Sequence, residues 1–143
     1  MALPTSIALH IVTPDQSFAH DVDEVSLPGA EGDFGVLPGH ERFLSPVRIG
    51  ELEVDTGPTE RRWAAISDGF AEVNGDKVVL MVDSCEFARD IDTARAERAN
   101  ANAERVLSRL EAAEREEASY RMAEAALQRA LIRIQVAGKQ HAI

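Results

Sequence analysis

Apolar and polar positions alternate in short runs through the first part of the chain. In Ile7–Val12, Ile7, Leu9 and Ile11 share one face, the pattern of a strand buried on one side. Pro14-Asp15 turns the chain, and Val22–Leu27 reads as a second strand with Val25 and Leu27 in phase. Val47–Val54 alternates again, but the phase slips at Gly50, which predicts a bulge or bend. After a turn at Gly57-Pro58, three more strands are predicted at Arg62–Ser67, Phe70–Val73 and Lys77–Val82. Asp68-Gly69 and Asn74-Gly75 separate them, and Asn-Gly is a strong hairpin signal. Many short strands with regular turns define a sandwich or barrel.

From Asp92 the period lengthens. Ala96, Ala99, Ala103, Val106, Leu110 and Ala113 recur at helical spacing, and Tyr120, Ala123, Leu127, Ala130, Ile134 and Ala137 repeat it. Asp92 suits the N-cap of the first helix, Glu114–Ser119 a polar link, and Gly138 the stop of the second. The expected fold is therefore an all-β N-terminal sandwich followed by an α-helical antiparallel hairpin, with domains at 1–88 and 91–138. Both helical stripes are rich in alanine, and each missing methylene forfeits roughly 0.8 kcal/mol of burial. A seam this lean predicts a weakly held hairpin. Both a permanently docked pair and a separable one, as a two-state switch requires, are compatible with it.

The stretch Val25–Val54 punctuates the front half. Pro28-Gly29 and Pro38-Gly39 read as two tight turns, with Phe34, Val36 and Leu37 as a short strand or packed loop between them and Asp33 at an exposed tip. No Lys-Ser or Lys-Thr follows the glycines, so this is not a phosphate-binding P-loop.

Composition sharpens the division. All six prolines fall by Pro58, and no glycine or proline lies between Gly75 and Gly138. The net charge of −10 argues against nucleic acid as a partner. Cys85 is the single cysteine, which excludes an internal disulfide and suits a small buried hydrophobe. The longest apolar run, Val78–Val82, is too short to span a bilayer, so no direct membrane insertion is expected. The N-terminus shows neither a secretory signal nor a transit pattern.

Chemistry concentrates at the boundary. Glu86, Asp92 and Arg95 lie close in sequence there, and Arg129 and Arg133 sit four apart on the second helix. Carboxylates accept hydrogen bonds from an adenine amino group, and guanidinium groups match phosphate oxygens. The same residues on exposed helices serve equally well as a solvated surface. No His/Cys cluster has metal spacing, and Ser45 and Ser67 have no evident triad partner.

The string SLPGAEGDFGVLPGH followed by RIGEL resembles the epsilon subunits of F-type ATP synthases, and the resemblance runs from about Ile7 to Ala137. It implies a rotor-docking β-sandwich with a regulatory helical hairpin. The chain would be a non-catalytic central-stalk subunit at the cytoplasmic face of the bacterial inner membrane. Its implied partners are the gamma subunit, the membrane rotor ring and, when the hairpin extends, the alpha/beta catalytic head, where it resists ATP hydrolysis. Ile91-Asp92-Thr93-Ala94-Arg95-Ala96 matches the motif with which some bacterial epsilon subunits bind ATP. Glu86 falls at the family's second adenine-side carboxylate, and Arg129 and Arg133 at its helix-two arginine pair. The resemblance thus implies ATP as a regulatory ligand, with no required cofactor, held by Glu86, Ile91, Asp92, Arg95, Ala96, Arg129 and Arg133. Asn102 departs from the pattern, since strong binders carry an arginine there. Asp33 and His40 are the implied partner-facing residues. The alternatives are a free-standing nucleotide sensor without a rotor, and an enzyme using Asp33, His40 or Cys85.

Overall fold

The computed structural model describes residues 5–57, 60–112 and 117–139. Its strands are β1 (Ile7–Val12), β2 (Ser17–Val22), β3 (Glu24–Gly29), β4 (Gly32–Val36), β5 (His40–Val47), β6 (Gly50–Gly57), β7 (Glu60–Ile66), β8 (Gly69–Gly75), β9 (Lys77–Val82) and β10 (Cys85–Phe87). A 3-10 turn at Ala88–Asp90 leads into helices α1 (Thr93–Ala112) and α2 (Glu117–Lys139). The strand order is β10-β7-β6-β3-β5-β8-β9-β1-β2, with β4 on β3. In the recorded register β3 and β5 meet at one pair, Gly29 opposite Val47. That narrow join lets the sheet fold over into two layers. β1 and β9 run parallel, whereas their other pairings are antiparallel.

Alternation puts Ile7, Leu9, Val25, Leu27, Leu52, Val73, Val78 and Leu80 between the layers, all fully buried. Phe18, Phe34, Phe43 and Phe87 pack at the margins of this core. The fold is the expected sandwich followed by a helical hairpin.

The details differ from the sequence reading in instructive ways. Val22 ends β2 and β3 starts at Glu24, so Val22–Leu27 is not one strand. β2 escaped notice because its side chains are mostly exposed and do not alternate. Pro28-Gly29 is strand rather than turn. Pro28 pairs with Asp33 and Gly29 with Gly32, placing the two-residue turn at Ala30–Glu31. The turn at Pro38-Gly39 is present: His40 N donates to Leu37 O at 3.2 Å, and Gly39 has φ +83°. The slip at Gly50 marks the passage from β5 to β6, which lie on opposite sides of β3. Gly57 ends β6; Pro58 lies outside the described residues.

In the hairpin, Asp92 caps α1 as expected, with Oδ1 accepting from Arg95 N at 3.1 Å. Glu117–Ser119 belong to α2 rather than to a link, and residues 113–116 lie outside the description. α2 also runs past Gly138 to Lys139. There the Lys139 ammonium lies 2.6 Å from Glu51 on the sheet.

The sandwich core holds no hairpin residue, and a smaller cluster joins the two parts. It contains Ala65 of β7, Ala88, Ile91 and α2's Val136 and Ala137, with Trp63 and Ile132 beside it. Val136 is fully buried although it lies off the predicted stripe. α2 therefore uses two faces: Ala123 and Ala126 line a cavity with α1's Ala99 and Ala103, while Ile132 and Val136 meet the sheet.

Gly69 allows no side chain, since a Cβ there would lie 1.9 Å from the Met81 carbonyl oxygen. Gly69→Ala is expected to destabilise the sandwich by about 2–3 kcal/mol, as overpacking against backbone does. Urea unfolding followed by far-UV circular dichroism checks this; an unchanged midpoint would contradict the β8–β9 register.

Candidate functional site

The boundary segment and the hairpin enclose two neighbouring clefts. The first, about 160 Å³, is lined by Glu86, Asp90, Ile91, Asp92, Arg95, Ala96, Ala99 and Arg133. The second, about 270 Å³, lies between the helices and is lined by Ala99, Asn102, Ala103, Val106, Ala123, Ala126, Arg129 and Arg133. The second exists because alanines face alanines and leave the seam unfilled; Val106, on the predicted stripe, remains 36% exposed. Arg133 and Ala99 line both clefts. Each alone falls below the roughly 300–1,000 Å³ of a small-molecule site; taken together they enter that range.

Their charges differ. The first holds three carboxylates beside Arg95 and Arg133, whereas the second holds Arg129 and Arg133 and no carboxylate. In a chain of net charge −10, a carboxylate-free cleft with two guanidinium groups is a local inversion suited to an anion.

Six of the seven residues expected to bind a nucleotide line the first cleft; Arg129 lines the second. Several also have structural work. Ile91 packs with Val136 and Ala137. Asp92 caps α1, and Ala96 is buried. Arg133 Nε donates to Glu86 Oε1 at 2.8 Å, so these two satisfy each other in this state. The sequence reading missed Asp90, which lines the first cleft beside Glu86. It also missed Arg105, which donates to Asn102 Oδ1 and so places a third guanidinium beside the second cleft. The i, i+3 spacing of Asn102 and Arg105 was the available signal.

Asp33 and His40 lie elsewhere, on β4 and β5. Asp33 is exposed and pairs with Arg48. The His40 ring stacks obliquely on Phe43, and Phe43 meets Phe34 edge-on, each at 5.1 Å. Neither Asp33 nor His40 lines the clefts described.

A further surface was not legible as such in the sequence. Pro46 faces Phe70, Phe70 faces Met81 and Met81 faces Val12 across β5, β8, β9 and β1. All four are exposed, and Leu44, two residues from Pro46 on β5, is 65% exposed. Together they form a contiguous exposed apolar row on the sheet.

Cys85 packs against the sandwich core, and burial, with the neighbouring Glu86 charge second, pushes its thiol from 9.0 up to about 12. Such a thiol is a poor nucleophile at neutral pH. Among the described residues, no cluster of His, Cys, Asp or Glu could hold a metal ion. No described helix is long and apolar enough to cross a membrane.

The chain is thus a β-sandwich carrying a helical hairpin, with two neighbouring clefts and an exposed apolar row. Comparison with known proteins specifies the family. Residues 6–88 match the ATP synthase delta/epsilon chain β-sandwich domain, and residues 89–138 match the long α-helix domain of the same chain. The ATP synthase epsilon chain of Geotalea daltonii is 43% identical over 134 residues, covering 93% of this chain and 94% of the relative. That of Nitratidesulfovibrio vulgaris is 44% identical over 135 residues, covering 93% and 96%. A chain in the cryo-EM structure of the Euglena gracilis mitochondrial ATP synthase OSCP/F1/c-ring assembly shares the fold. Its TM-score is 0.75 at 24% identity, covering all of this chain and 85% of that one. This chain belongs to the ATP synthase delta/epsilon family, and it is a non-catalytic stalk subunit.

The raised Cys85 thiol gives a direct check. At pH 8.5 the raised pKa makes the thiolate much scarcer than in an ordinary cysteine, so native protein should react with iodoacetamide more slowly than urea-unfolded protein. Because the native thiol holds its proton longer, this group makes stability fall as pH rises from about 9 to about 12. Equal native and unfolded alkylation rates would refute the burial.

Proposed function

We propose that this subunit works in the rotor of a proton- or sodium-driven rotary ATP synthase. It sits at the cytoplasmic face of the bacterial inner membrane, held there through its complex. The sandwich docks on a gamma-type subunit and the membrane ring, using the apolar row across β5, β8, β9 and β1 together with Asp33 and His40. Family membership and the exposure of that row support this part of the reading.

The hairpin restrains ATP hydrolysis and takes ATP as a regulatory ligand. The observation that carries this is the pair of clefts with opposed character sharing Arg133. An adenine amino group suits the carboxylates of Glu86 and Asp92, with Ile91 and Ala96 as apolar neighbours. The phosphates suit Arg95, Arg129 and Arg133, and Arg105 stands beside Asn102 where a further cation would be useful. Binding only the docked hairpin, ATP stabilises that state by mass action. Lifted from the sheet, α2's Arg133 and Lys139 lose Glu86 and Glu51. An acidic surface on the catalytic head replaces those partners, which gives the extended state its inhibitory contact.

Calorimetry is the direct test of the nucleotide site. ATP should release heat with the unmodified protein at millimolar concentration, and Arg129→Ala should weaken binding about tenfold, the loss of one charge-assisted contact. No heat from the unmodified protein rejects the site. Restraint is tested separately: deleting residues 91–143 should leave the assembled complex intact and raise its ATP hydrolysis. Unchanged hydrolysis removes the inhibitory role.

A further inference from the structure

On the outer face of the sandwich, three strands bring one row of residues together. Glu51 on β6 is directly opposite Ala65 on β7, and Ala65 is directly opposite Glu86 on β10. The row therefore reads carboxylate, methyl, carboxylate across two interstrand spacings, roughly 9.5 Å. α2 lies on it. Val136 and Ala137 pack on Ala65, Arg133 reaches Glu86, and Lys139 reaches Glu51. Arg133 and Lys139 are six residues apart, about 9 Å of helical rise. The helix and the sheet are thus matched in spacing, with two cations meeting two anions either side of an apolar seat.

We propose that these are two separate catches, and that the Glu51 catch holds the hairpin on the sandwich with no nucleotide bound. The Arg133–Glu86 pair lines the cleft, so a nucleotide that recruits either residue competes with it. The Glu51 catch lines neither cleft. Lys139 Nζ is 2.6 Å from Glu51 Oε1 and 5.6 Å from the centre of the Trp63 ring. Gln135 Nε2 donates to the other Glu51 oxygen at 3.4 Å. Glu51 Oε1 is held by charge proximity to Lys139 rather than by a hydrogen bond, and Oε2 takes a long bond from Gln135, so both oxygens of one half-buried carboxylate face α2. Ligand exchange at the cleft leaves this end of α2 in place, so nucleotide tunes docking rather than creating it. Release of the hairpin requires a second event that breaks the Glu51 catch, such as competition by another acidic surface for Lys139.

Trp63 is the chain's single tryptophan and lies under this catch, so its fluorescence reports docking directly. In nucleotide-free buffer the unmodified full chain should show a shielded Trp63 emission and slow tryptic cleavage after Arg129 and Arg133. Glu51→Gln and Lys139→Met should each shift the emission to the red and speed cleavage. The expected loss is about fivefold in the docking equilibrium, the scale of a charge-assisted contact discounted for partial exposure. Glu51→Lys combined with Lys139→Glu should restore both readouts. Lys139→Met lies outside the sandwich, so it remains informative if a Glu51 variant folds poorly. Wild-type emission and cleavage in Lys139→Met, or a Trp63 that becomes shielded only on adding ATP, would overturn the proposal. All readings are taken without nucleotide, so a failed ATP titration rejects the cleft assignment and leaves this one standing.

Discussion

The hairpin has a defined position because one helix must satisfy a row of alternating chemistry on the sheet. Glu51, Ala65 and Glu86 stand side by side on β6, β7 and β10. A helix crossing them has to present a small apolar surface in the middle and a cation on each side. α2 does so with Val136 and Ala137 between Arg133 and Lys139. Sliding α2 by one turn, about 5.4 Å, would set the apolar pair against carboxylates and leave both cations unmatched. Neither ion pair is deeply buried, so each is worth modest stability; their value lies in register. The clefts depend on that register, since Arg133 of α2 lines both of them.

The remainder of the hairpin is lightly built. α1 meets α2 through alanines, and the space they leave is the second cleft rather than packed core. The same lean seam thereby weakens the hairpin and makes room for a ligand between its helices. A leucine seam would close the cleft and fix the helices together. The sandwich core contains no hairpin residue, so α2 can leave the sheet without opening the aliphatic interior. The only apolar cluster that the two parts share, among the described residues, is the small one around Ala65, Val136 and Ala137.

The boundary motif shows how structure and chemistry share residues. Ile91 and Ala96 are buried, and Asp92 caps α1. These positions have a reason to be what they are before any ligand is considered. The Arg95 and Arg129 side chains line the clefts, and Arg133, which lines both, pairs with Glu86. A nucleotide reading therefore rests on the arginines more than on the motif's apolar members.

The two-part architecture was legible in the sequence because each part has its own period: two in the strands, near 3.6 in the helices, with the change at Asp92. Asp92 as a cap and Gly39 in a turn were also readable, since local chemistry decides both. Exposed β2 was not, because an edge strand without alternation carries no pattern. The turn at Ala30–Glu31 lies two residues beyond the expected one, because Pro28 and Gly29 tolerate a strand end as readily as a turn. Most of the predicted ligand-site residues do converge, but their convergence depends on α2 folding back across the boundary. Periodicity along the chain fixes which residues share a face of one element. It says nothing of which residue lies opposite on another strand, so Glu51 beside Ala65 beside Glu86, and the helix that fits them, were decided by tertiary structure alone.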